Sequence, residues 1–178
     1  MKRALFIALL LLGCNRIEPP VAEPQQGLPD LELFKARVRV SREGLPRFTV
    51  RSAHIARIES HSMMLLDGGV EVDFYDGKGR HSAILTADEG EVLEKENRLY
   101  ARGNVTVHSD SGMVLLAREL YWDQQKGRVF SDGFVTVVTL TDSLSGYGFS
   151  SAPDLSDWVI QRSSGTTWRR LERQEGRE

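Results

Sequence analysis

The sequence predicts an all-β protein built from repeated hairpins. Three observations lead there: short apolar runs that alternate with polar residues, turn signals at regular intervals, and an internal repeat of about thirty residues that ends each time in Gly-x-Val-x-Val. Alternation is plain in Val38 and Val40 against Arg37 and Arg39, and in Val70, Val72 and Phe74 against Glu71, Asp73 and Tyr75. Leu99, Ala101, Val105 and Val107 share one parity, as do Val129, Val135 and Val137. A period of two means strands with one dry and one wet face. Between them lie Asp76-Gly77-Lys78-Gly79, Glu96-Asn97, Asp110-Ser111-Gly112, Lys126-Gly127 and Asp142-Ser143, all turn chemistry.

Two windows argue locally for helix. Thr86-Ala87-Asp88-Glu89 reads as a capping box, and Leu115 to Lys126 has an amphipathic pattern ending at Gly127. The repeat decides against both. Ala53 precedes Gly68, Ala87 precedes Gly103 and Ala117 precedes Gly133, each at a spacing of 15 or 16, and a weaker copy follows at Leu144-Ser145-Gly146-Tyr147-Gly148. Copies of one unit adopt one conformation, and the second half of each copy is strand. Residues 86–93 and 115–125 are therefore expected to be strands. A glycine within a strand permits a bend, and bends at matching heights would curve the whole sheet. Two antiparallel layers would then face each other across an apolar interior, as in a sandwich or jelly roll.

The rest of the chain of 178 residues is organised around that body. Lys2-Arg3 and the apolar run Ala4 to Leu12 form a signal peptide, too short to span a membrane as a helix. It ends in Leu11-Leu12-Gly13-Cys14, a lipobox, so residues 1–13 are expected to be removed and Cys14 to carry lipid as the mature N-terminus. Residues 14–30 hold four of the six prolines and form a disordered tether. The sixteen residues after Cys14 reach about 50 Å fully extended. The body runs from 31 to 162, and a charged tail from 163 to 178 receives no role.

Charge excludes some functions. The net charge is −2, with 23 basic and 25 acidic residues, and beyond Lys2-Arg3 the balance is 21 against 25. A distributed nucleic-acid interface needs the opposite sign. Cys14 is the single cysteine, so neither an internal disulfide nor a cysteine zinc site can form. His54, His61, His81 and His108 have no ligand spacing, and no metal site or cofactor is expected. Glu89 with Glu91, or Asp88 with Glu119, could be drawn as a carboxylate pair, but solvated strand edges account for them. Gly146-Tyr147-Gly148 lacks the rest of a phosphate loop, no Gly-x-Ser-x-Gly is present, and Asn104-Val105-Thr106 follows a strand bend. No catalytic residues are expected.

The ordered set Glu43-Gly44-Leu45-Pro46, Ala53, the Ala…Gly-Asn-Val-Thr-Val and Ala…Tyr-Trp-Asp units and Leu144-Ser145-Gly146-Tyr147-Gly148-Phe149 resembles the LptC family and its LptA/OstA-like relatives over about residues 31 to 162. The resemblance implies an open antiparallel β-jellyroll of about fifteen strands without a catalytic site, a periplasmic component of lipopolysaccharide transport. One end would dock on the periplasmic domains of an inner-membrane ABC transporter, and the other would hand lipid to an LptA-like bridge protein. Well-known members of the family hold themselves in the inner membrane with a transmembrane helix; this chain carries a lipobox instead. Anchorage on the periplasmic face of the inner membrane is expected, with the outer membrane left open.

On that resemblance the inward parity becomes a lipid groove: Val70, Val72, Phe74, Leu85, Leu99, Val105, Val107, Leu115, Val129, Val135 and Val137, with room left by Ala87, Ala101 and Ala117. The residues read equally well as a closed core. Partners would add strands at the two sheet edges, at Lys35, Arg37, Val38 and Val40 on one side and Trp158, Val159, Ile160 and Arg162 on the other. The competing function is a scaffolding envelope lipoprotein that binds only proteins by strand addition.

Overall fold

The computed structural model describes residues 28–167. Ten strands follow one another: β1 (Leu31–Arg42), β2 (Leu45–Ile58), β3 (Met63–Tyr75), β4 (His81–Ala87), β5 (Glu89–Leu93), β6 (Arg98–Ser109), β7 (Val114–Asp123), β8 (Arg128–Val138), β9 (Asp142–Ser151) and β10 (Val159–Thr167). All pair antiparallel in one sheet of order β1-β2-β3-β4-β6-β7-β8-β9-β10, with β5 continuing the line of β4 between β3 and β6. Both windows of helical pattern are strands. The count is ten rather than about fifteen, and most of the strands run unbroken through a bend. β10 continues to Thr167, five residues into the segment read as tail. The signal peptide, Cys14 and most of the tether and tail lie outside the described residues.

The bend is a row of unpaired residues at one height across the sheet, with bulges in its inner ladders. Lys35 and Ala53 fall between the pairs Phe34↔His54 and Ala36↔Ser52. Gly68 and Gly69 fall between His54↔Asp67 and Ser52↔Val70. Gly103 and Asn104 fall between Arg102↔Glu119 and Val105↔Ala117, and Asp132 and Gly133 between Ser131↔Phe149 and Phe134↔Tyr147. Gly148 and Gln161 close the row. The row divides the sheet into two leaves. The first holds 36–52, 70–75, 81–87, 105–109, 114–117, 135–138 and 143–147. The second holds 31–34, 54–58, 63–66, 89–93, 98–102, 119–123, 128–131 and 149–151.

Strands cross the row in two ways. β3, β6 and β8 insert an even number of residues and keep their parity: Leu66 then Val70, Ala101 then Val105, Ser131 then Val135 all face inward. β2 and β7 flip it: Ser52 then Ile55, Ala117 then Leu120. Either way the apolar face stays inside on both leaves. The backbone accommodates this with left-handed residues, among them Gly68, Gly69, Gly103 and Asn104. Gly103 has φ +72°, and a Cβ there would lie 2.8 Å from the Asp88 Cβ. Only glycine fits that conformation and that approach.

The leaves face each other. β2 and β7 share no ladder, yet the Phe48 and Trp122 rings pack edge to face. The segment 152–158 between β9 and β10 ties the leaves at one end: Ser109 Oγ of the first donates to the Asp154 carbonyl (2.9 Å), and Arg128 of the second pairs with Asp157 (2.8 Å). Leu155, 2% exposed, is held between these ties. Most turns form where the sequence places them. In the β3–β4 turn, Asp76 accepts from the Arg80 and Lys78 amides and the Arg80 guanidinium, which holds its carboxyl at about 2. The β8–β9 reversal comes slightly earlier than expected, with Asp142-Ser143 already opening β9.

Candidate functional site: an apolar cleft between two leaves

Burial of the inward face creates one interior with two textures. Toward β6–β9, Val105, Val107, Leu115, Val135 and Val137 are all 3% exposed or less and pack with Phe149 and Leu155. Between β2, β3 and β4 of the first leaf and β3 and β5–β8 of the second, the leaves leave an apolar cavity of about 70 Å³. The first leaf contributes Phe48, Val50, Val70, Val72, Phe74 and Leu85; the second contributes Leu66, Gly90, Val92, Leu99, Ala101, Leu120, Trp122 and Val129, with Glu91, Tyr100 and Tyr121 also at its margin. A lining this apolar offers hydrocarbon better contacts than it offers water.

The eleven predicted lining residues therefore divide. Val70, Val72, Phe74, Leu85, Leu99 and Val129 line the cavity; Val105, Val107, Leu115, Val135 and Val137 do not, and pack as core. Phe48 and Trp122 were not legible as lining. Trp122 lies beyond the parity flip of β7, so a count of two from Leu115 puts it on the wet face. The shift from Leu115 and Ala117 to Leu120 and Trp122 was the signal. The Trp122 indole N–H is buried without an acceptor.

Many of the charged residues pair with one another on the outer faces. Arg102 bonds Glu119 (2.6 Å) and Glu91, and its guanidinium lies over Tyr100. Tyr100, Tyr121 and Phe130 form an aromatic row across β6, β7 and β8. Asn104 donates to Asp88 (2.8 Å). His54 bridges Glu32 (3.1 Å) and Asp67 (3.0 Å) and stacks on Phe34, while His81 meets Asp110 and Asp73. No group of three or more His, Cys, Asp and Glu among the described residues is placed to hold a metal ion.

The sheet has two edges. β1 pairs only with β2, so Lys35, Arg37, Val38 and Val40 stand on one edge; β10 pairs only with β9, which puts Val159, Ile160 and Arg162 on the other. Trp158 precedes β10 and packs against the core. β1 is exposed almost throughout, including Phe34 at 72% and Val38 at 40%.

A single bent antiparallel sheet thus holds an apolar cleft between its leaves and leaves both of its edges unpaired. The chain matches the family model for LptC-related lipopolysaccharide-assembly proteins over residues 3–154, and belongs to that family. It is thus a periplasmic, cell-envelope component of lipopolysaccharide transport, from a transport family rather than an enzyme family, and works with lipopolysaccharide and the transporter and bridge proteins that move it. No curated protein matches the chain.

Proposed function

We propose that this chain is a lipid-anchored bridge component that accepts lipopolysaccharide from the inner-membrane ABC transporter and passes it along an open β-jellyroll groove to an LptA-like partner, toward the outer membrane. The observation that carries this reading is the cleft between the leaves, lined by Val72, Phe74, Leu99 and Trp122 among others. Each methylene kept from water is worth about 0.8 kcal/mol, so several acyl chains crossing the periplasm need such shelter. The phosphorylated head stays in water beside the open side. Lipid on Cys14, held by two or three acyl chains, keeps the body at the membrane. The strands β1 and β10 take the two partners by strand addition.

A photo-crosslinking amino acid at Val72 or Leu99 is expected to capture lipopolysaccharide in cells, and at the outward-facing Thr106 or Thr136 it is not. Adducts to protein alone at all four positions would instead establish a scaffold. Val105 and Val137 add a second readout: lipid adducts there mean that the packed half of the interior opens during transfer. Cys14→Ala is expected to release the protein from membranes or stall its processing, and unchanged fractionation removes the lipid anchor from the proposal.

A further inference from the structure

The charge on β1 points to the chemistry of the strand that pairs with it. In the first leaf, cross-strand neighbours share a face, so Ala36, Val38 and Val40, opposite Ser52, Val50 and Phe48, continue the apolar interior. Arg37 and Arg39, opposite Arg51 and Thr49, lie on the outer face. Follow the outer row inward from the edge: Arg37 faces Arg51, and Arg51 faces Glu71. Arg51 is already satisfied by Glu71 and by Asp73 at 2.8 Å. Arg37 is left with a like charge on its one flanking strand, an arrangement that disfavours the pairing unless a carboxylate approaches from the other side. Among the described residues no acid pairs with Lys35, Arg37 or Arg39. Three of the described cations that form no ion pair, Lys35, Arg37 and Arg39, fall on this one edge strand.

We infer that β1 receives an extended strand from another protein in which acidic residues alternate with apolar ones. The acids stand opposite Arg37 and Arg39 on the outer face, and the apolar residues cover Val38 and Val40, which are 40% and 38% exposed for want of a neighbour. This rests on the strand-addition reading above and adds the composition of the partner. A second copy of this chain does not fit. Two β1 strands side by side oppose cation to cation, which guards the edge against self-pairing. β10 offers Gln161, Arg162, Ser163, Ser164 and Thr166 and no acid.

The test uses the full chain in lipid nanodiscs and a fluorescent ten-residue peptide of alternating Val and Glu. The peptide is N-methylated on alternate residues so that only one of its edges can pair. A Val/Lys peptide of the same design is the control. The acidic peptide binds and the basic one does not. Raising salt from about 0.05 to 0.5 M weakens binding by about tenfold or more, as exposed charge pairs are screened. Arg37→Glu with Arg39→Glu reverses the preference. Arg37→Gln with Arg39→Gln abolishes it, and serves if the reversed variant fails to fold. Equal binding of the two peptides, no binding of either, salt-independent binding, or a preference unmoved by the substitutions overturns the inference. So does self-association through β1 in place of peptide binding. Lipid capture at Val72 and Leu99 alongside such a result would leave the conduit standing and remove only the acidic partner strand.

Discussion

The Trp122 and Phe48 rings stand at 89° with centroids 5.4 Å apart, and Trp122 also meets Phe74 at 6.1 Å. One indole on the second leaf thus touches two rings of the first and bounds the cleft between them. Edge-to-face pairs of this kind add about 0.5–1.5 kcal/mol beyond their buried area. Trp122→Leu is expected to destabilise the protein by about 2–4 kcal/mol in urea unfolding and to raise binding of an apolar dye, because it enlarges the cleft. Trp122→Phe should cost less, since it removes a buried N–H that has no acceptor. Equal costs for the two variants would show that the ring contacts are not what joins the leaves.

The bend makes its own prediction. Gly103→Ala forces a side chain into a left-handed conformation against Asp88, and is expected to cost at least about 2 kcal/mol. Gly133 sits in the same row without a left-handed φ, and a Cβ there would meet nothing closer than Ser131 Oγ at 3.6 Å. Gly133→Ala is expected to be near neutral. Matched denaturation midpoints for both variants would refute the difference in strain.

His54 ties three strands through Glu32 of β1 and Asp67 of β3. The hydrogen bond that His54 donates to Asp67, then the one it donates to Glu32, raises its pKa above the ordinary 6.5. A raised pKa means that the folded state holds the proton more tightly than the unfolded one. The contribution is therefore complete below pH 6.5 and is lost as pH rises through the folded value. NMR titration should give a His54 pKa above 6.5. Amide exchange at Leu33 and Phe34, corrected for its intrinsic pH dependence, should quicken across the same window. His54→Gln should abolish that dependence. A His54 pKa at or below 6.5 removes the tie.

The sequence revealed the strands wherever parity is kept. Leu99 and Val105, or Val129 and Val135, lie on one inward face because an even insertion separates them, and the repeated glycines marked the height of the bend. Where the insertion is odd, the pattern misleads. In β7 the inward residues fall at 115, 117, 120 and 122, a spacing that imitates an amphipathic helix and hides Trp122. The separation of the interior into a packed half and a cleft could not be read either. Leu155 is buried in the packed half, and nothing in the local sequence of residues 152–158 says which strands they will tie.

Those odd and even insertions have a consequence for how the chain can vary. Lengthening a turn at the far end of a hairpin only adds solvated backbone. Losing one residue from the crease would turn half a strand inside out, sending every valine beyond it into water and every arginine into oil. Tolerance to single-residue gaps should collapse in a narrow stripe across the middle of the molecule and recover on both flanks.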